Sequence, residues 1–184
     1  MNGFHRDDLL FSLCGLNCGL CPMKLDGYCP GCGGGKGNQS CAIARCSLEQ
    51  GGVTYCSQCA KYPCGRYQTD DPYDSFITHR NRRKDLDRLQ RIGPAAYWKE
   101  QLEKQDILAS LLNHYNDGRH KGFYFTAVNL LTLEDLRAVM ELLAALPPDL
   151  SAKERAAQAA GLFQALANQS GLDLKLRKKP RKPH

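Results

Sequence analysis

The sequence predicts an α+β protein, with an irregular, metal-stabilised cysteine-rich N-terminal module followed by a mainly helical domain with a minor sheet. Three observations carry that expectation. All ten cysteines of the 184-residue chain lie between Cys14 and Cys64. Beyond them, apolar residues recur at helical spacing between clear start and stop signals. Two short segments, 122–128 and 172–177, read instead as strands. The expected divisions are a metal-binding module at 1–69, a helical domain at 70–176 and a basic flexible tail at 177–184.

Residues 1–13 set Phe4, Leu9, Leu10, Phe11 and Leu13 around Asp7 and Asp8 and predict a short lead-in helix or strand packed on the module. His5 reads as a solvated side chain. The opening lacks the basic start, long apolar run and small-residue cleavage site of a secretion signal. No run approaches the roughly 18 apolar residues of a membrane span. A cytoplasmic chain with reduced thiols follows as the expectation, and no membrane as partner.

Three cysteine pairs have Cys-x-x-Cys spacing: Cys18/Cys21, Cys29/Cys32 and Cys56/Cys59. Two thiolates on one tight turn reach a single ion, and two such turns complete a tetrahedral, zinc-ribbon-like site. Cys18, Cys21, Cys29 and Cys32 are expected around one zinc, and Cys46, Cys56, Cys59 and Cys64 around a second. Cys14 and Cys41 are then alternates or neighbouring thiols, and an interleaved set that uses Cys14 is a rival grouping. The segment needs a crosslink of some kind. Its large aliphatic residues are only Leu16, Leu20, Met23, Leu25, Ile43, Leu48 and Val53, whereas ordering the backbone costs about 1–2 kcal/mol per residue. Disulfides are the alternative crosslink, and a reducing compartment disfavours them. An iron–sulfur cluster is the other alternative, because Cys14-x-x-x-Cys18-x-x-Cys21 has the spacing of radical enzymes that use S-adenosylmethionine. Those enzymes need a large barrel of repeated strand–helix units, which this chain lacks. The Cys-x-x-Cys-x-x-Cys run favoured by iron is absent too.

The stretches CGLNCGLCP (14–22), CPGC (29–32) and CSQCAKYPC (56–64) together resemble a cysteine-rich bacterial and archaeal family known as domain of unknown function 3795. The likeness continues through GFYFTAVNLL (122–131) and GLDLKLRKK (171–179). Leu13 departs from it, standing where a Tyr commonly precedes the opening motif. The resemblance implies a metal-binding domain with the cysteines as ligands, and it implies no reaction.

Further along, GCGGGKGN (31–38) fails as a phosphate loop, because Pro30 and Gly37 stand where Gly and Ser or Thr are required. It reads as a loop between ligands. CAIARCSLEQGG (41–52) predicts a short helix stopped by Gly51 and Gly52. Tyr55, Lys61, Tyr62, Arg66 and Tyr67 interleave aromatics with base, a pattern that shields thiolates or stacks nucleic-acid bases. A polar turn at 69–72 marks the expected boundary. Arg80, Arg82, Arg83 and Lys84 then precede a helix bearing Leu86, Leu89 and Ile92. Gly93-Pro94 starts the next, with Pro at its first position, and Asn116–Gly118 ends it. GFYFTAVNLL (122–131) has no clean period and reads as a buried strand or an extended entry to a helix. Thr132 with Asp135, and Ser151 with Glu154, form capping boxes for two more helices. Pro147-Pro148 stops the first and Gly171 the second. Leu172, Leu174 and Leu176 alternate with Asp173, Lys175 and Arg177, the mark of a half-buried strand whose natural partner is 122–128.

Charge and ligand chemistry narrow the function. The formal charge of +6 is concentrated at the end of the chain, where Lys175, Arg177, Lys178, Lys179, Arg181 and Lys182 face only Asp173. Such a tail supports weak, non-specific nucleic-acid binding. A zinc hydrolase needs an open coordination position and a general base. The helices carry no H-E-x-x-H, and His114 and His120 read as parts of a polar turn with Asp117, Arg119 and Lys121. The expectation is therefore a non-catalytic binding module built on zinc and serving a protein or nucleic-acid partner. An iron–sulfur or thiol redox protein and a metal carrier are the alternatives.

Overall fold

The computed structural model describes residues 3–35, 41–67 and 71–180. The expected boundary at 69/70 and the end of the basic tail lie outside the described residues. So does the second half of the glycine-rich loop. Seven α-helices are assigned: α1 (Pro22–Leu25), α2 (Ala42–Glu49), α3 (Arg82–Ile92), α4 (Pro94–His114), α5 (Lys121–Leu130), α6 (Leu133–Ala144) and α7 (Ala152–Gln169). Single 3-10 turns occupy Cys18–Leu20, Cys56–Gln58 and Gly65–Tyr67. The chain divides into one compact unit of Met1–Lys99 with Arg177–His184, and a second of Glu100–Leu176.

The α+β expectation is corrected: no strand occurs among the described residues. The segment expected as a strand, 122–128, lies in α5. Every residue from Tyr124 to Leu130 is buried, so apolar residues face all ways and the helical period disappears from the sequence. Residues 172–177 form no strand and bend at Lys175, although Leu174 is buried between exposed Asp173 and Lys175. Alternation is all they share with a strand, because their expected partner is helical.

In the first unit, Phe11, Tyr55, Tyr67, Leu86, Leu89 and Tyr97 form one core, against which Cys56, Cys64, Tyr62 and Ile92 pack. A smaller cluster of Phe4, Leu13 and Ala44 takes Cys32, Ile43, Val53 and Cys56 on its rim. Aromatics from outside the aliphatic set thus fill the module, while Leu25 and Leu48 stay exposed. Arg6 ties the lead-in segment down, donating from Nη1 to the carbonyls of Asp8 and Phe11 at 2.9 Å each. Asp8 Oδ2 accepts from the Tyr55 hydroxyl at 2.8 Å and from Trp98 Nε1 at 3.2 Å. Gly15 adopts φ +91°, and a Cβ there would collide with the Arg82 carbonyl. Gly31 (φ +91°) likewise lets Leu9 pass, since a Cβ would sit 2.7 Å from the Leu9 carbonyl oxygen.

The second unit is helical. Thr132 Oγ1 accepts the Asp135 N–H at 3.1 Å and Ser151 Oγ the Glu154 N–H at 3.3 Å, each reciprocated by the carboxylate, so both capping boxes form. Tyr124 on α5 packs against Phe163 on α7 with ring centroids 6.0 Å apart. Lys104, on α4, is buried and donates to the carbonyls of Val128 at 3.1 Å and Leu131 at 2.7 Å.

Candidate metal centre

The thiols fall into two groups within the first unit. In the first, Cys18 lies on a 3-10 turn fixed by the Gly19 N–H donating to the Leu10 carbonyl at 2.7 Å. Cys21 is the N-cap residue of α1, and the Cys29 N–H reaches back to the Met23 carbonyl at 2.8 Å. Burial pushes the Cys18 thiol up to about 12, and neighbouring Cys32, Cys14 and Cys21 add to the shift. Burial also raises Cys21, with Cys29 adding, while the N–H groups of Met23 and Lys24 pull the other way. Cys32 is raised by burial and by Cys14, against the Leu13 N–H and the Arg6 guanidinium.

The second group surrounds a cavity of about 30 Å³ whose lining includes Cys46, Cys56, Cys59, Cys64, Tyr62 and Tyr67. Cys46 comes from α2, Cys56 from the following 3-10 turn, and Cys59 and Cys64 from the chain after it. Burial lifts Cys56 to about 11, Cys14, Cys64 and Cys46 add to it, and the Tyr67 hydroxyl opposes by hydrogen bonding. Tyr67 is itself raised, by burial first and then by Cys56. Cys14 stands between the groups, acting on Cys18 and Cys32 on one side and Cys56 on the other. Its Sγ is 3.2 Å from Ser12 Oγ, and Arg82 donates from Nε to its carbonyl at 3.3 Å. Cys41 is exposed.

As the side chains are placed, no three Cys, His, Asp or Glu among the described residues are gathered closely enough to hold an ion. Two buried polar atoms beside the thiols nevertheless have no partner: Ser57 Oγ, between Cys56 and Cys59, and Arg6 Nη2, near Cys32. A buried donor without an acceptor is costly, and a metal-bound thiolate is the acceptor that these surroundings could supply. With a donor set of sulfur alone, the residues fit a closed zinc site.

Nothing in the sequence marked Arg6 or Arg82 as neighbours of the thiols, which they approach only through the fold, whereas Ser57 stands inside the Cys56-x-x-Cys59 motif. His5 is exposed, and His120 braces its turn, with Nδ1 2.9 Å from Asp117 Oδ1. The sequence also missed a Ser75–His79–Asp71 chain, with Ser75 Oγ 2.9 Å from His79 Nε2 and His79 Nδ1 2.7 Å from Asp71 Oδ2. It has the order of a nucleophile–base–acid array. However, Asp71 is already ion-paired with Arg82, and the Ser75 N–H donates to the Ile77 carbonyl at 3.2 Å rather than facing a substrate oxygen. The chain acts as a brace for its loop.

Comparison with family models, with curated proteins and with solved structures gives no match for this chain. No helix among the described residues is long and apolar enough to cross a membrane.

Proposed function

We propose that residues 14–64 form a structural zinc module holding two ions, and that the protein is a non-catalytic binding module. The observation that carries this reading is the convergence of Cys46, Cys56, Cys59 and Cys64 on one small cavity. Cys46 comes from α2, Cys56 and Cys59 from one turn, and Cys64 from the chain beyond it. Desolvation keeps a buried thiol protonated, and a bound zinc reverses that preference, because the thiolate is its ligand. Backbone N–H groups directed at Cys18, Cys21 and Cys32 favour the same charged form. Arg6 beside Cys32 and Arg82 beside Cys14 supply positive charge against the excess negative charge of thiolate sites. Binding is expected to draw the sulfurs in to about 2.3 Å from the ion.

Elemental analysis of protein purified in reductant without added metal tests this directly. Two zinc ions per chain and no visible absorbance are expected. Iron with inorganic sulfide would replace the reading with an iron–sulfur protein, and metal-free folded protein would end it.

A further inference from the structure

The loop at 71–80 holds the chain at Arg177 against itself. The Asp74 N–H donates to the Arg177 carbonyl at 2.8 Å, and Asp74 Oδ2 accepts the Arg177 N–H at 2.8 Å. Asp74 Oδ1 accepts from Arg177 Nη2 at 3.0 Å and from the His79 N–H at 2.9 Å. One carboxylate therefore grips Arg177 by backbone and guanidinium and fixes His79 at the same time. The residues that follow these anchors are basic. Lys178 and Lys179 are exposed, and Arg80 donates from Nε to Thr78 Oγ1 at 3.1 Å. The loop's own carboxylates are matched, Asp71 by His79 and Arg82, and Asp74 by Arg177. Exposed Lys178 and Lys179 set positive charge beside these matched pairs.

The same loop turns two aromatic rings outward. Tyr73 is 39% exposed and Phe76 63%, whereas adjacent Ile77 is buried. Exposed rings beside cations suit single-stranded nucleic acid: the cations track phosphates while unpaired bases stack on the rings. A duplex offers the same phosphates and hides its base faces.

We propose that Tyr73, Phe76, Lys178 and Lys179 form a binding surface for single-stranded nucleic acid, with Asp74 and Arg177 as positioning residues. The proposal rests on the binding-module reading and names its partner class. It differs from attraction by a free basic tail, because Arg177 is anchored to Asp74 and the aromatics select unpaired bases.

Fluorescence anisotropy with a labelled single-stranded oligonucleotide and its duplex, across a salt series, tests it on the full chain. The single strand should bind more tightly than the duplex. Tyr73→Ala with Phe76→Ala should weaken single-strand binding roughly tenfold or more and erase the preference. Lys178→Gln with Lys179→Gln should reduce the salt slope by about one per lysine. Tyr28→Ala, at a ring 76% exposed on the cysteine module, should change nothing. No binding at low salt overturns the proposal. So does equal affinity for duplex and single strand that ignores the aromatic substitutions. Metal is quantified in the same preparations. Zinc-loaded protein that does not bind the single strand refutes this surface alone, and metal-free protein refutes the zinc reading.

Discussion

Asn17 Nδ2 donates to Asp85 Oδ2 at 2.8 Å, joining two buried residues 68 positions apart. Asn17 Oδ1 in turn accepts the Tyr97 hydroxyl at 2.9 Å. The residue that precedes Cys18 is thereby fastened to α3 and to the first turn of α4. Removing one member of such a chain strands buried polar atoms, at about 1–3 kcal/mol. Asn17→Ala should therefore lower the denaturation free energy of the first unit by that amount. Asn17→Asp should cost more, because it sets a second carboxylate against Asp85, and Tyr97→Phe should cost least. Denaturant titrations that reverse this order would show that the pair carries no such weight.

The Asp74–Arg177 clamp should fail in acid. Burial alone would raise Asp74, but the Arg177 hydrogen bonds, the His79 N–H and the Arg177 charge outweigh it and hold the carboxyl below its ordinary value. A carboxyl depressed in the folded state stabilises the fold above its unfolded pKa and loses that contribution as pH falls through its folded pKa. Thermal midpoints of the natural chain and Asp74→Asn should thus differ at neutral pH and converge below the ordinary carboxylate range. A gap that stays constant down through strong acid would rule out this linkage.

Helix ends were legible in the sequence because their signals are local. Thr132 and Asp135, or Ser151 and Glu154, are three positions apart and recognise each other wherever they occur. The expected grouping of Cys46 with Cys56, Cys59 and Cys64 rests on spacing, and these four residues line one cavity. Helix α5 was not, since burial from Tyr124 to Leu130 removes the periodicity that reports a face. The alternation of Leu172, Leu174 and Leu176 reported the burial of Leu174 between exposed neighbours, but a sheet needs a partner that alternation cannot supply. The position of Cys14 between two thiol groups, and the approach of Arg6 and Arg82, depend on contacts far apart in sequence. The polar turn at 69–72 marks a change of composition, whereas the compact unit follows long-range pairs such as Asn17–Asp85.

Lys104 gives a test confined to the second unit. Its buried ammonium donates to the carbonyls of Val128 and Leu131, at the C-terminal end of α5. A cation there meets the negative end of the helix dipole and satisfies carbonyls that the helix leaves open. Lys104→Met retains much of the side-chain volume and strands those oxygens, so a loss of about 1.5–3 kcal/mol is expected in chemical denaturation. A neutral or stabilising result would mean that the desolvation cost of the amine cancels its hydrogen bonds.

Single Cys→Ser substitutions, assayed for bound metal in reductant, should sort the ten thiols. Cys41 is exposed and is not among the residues that line the cavity, so Cys41→Ser should retain the full metal content. Cys46, Cys56, Cys59 and Cys64 share one cavity, and replacing any of them should release one of the two ions. Cys18, Cys21, Cys29 and Cys32 should control the other ion in the same way. Cys14 acts on thiols of both groups, so Cys14→Ser distinguishes the groupings: loss of both ions indicates a shared ligand, and loss of neither a bystander. Because burial raises the unliganded thiols, protons compete with metal, and retention should fall as pH is lowered. Strong chelator should then expose residues in the first unit to protease while α5, α6 and α7 keep their helical circular dichroism, since their core contains no cysteine. Equal metal loss from all ten variants, Cys41→Ser included, would mean that substitution unfolds the module as a whole, and the assignment of ligands to two sites would be lost.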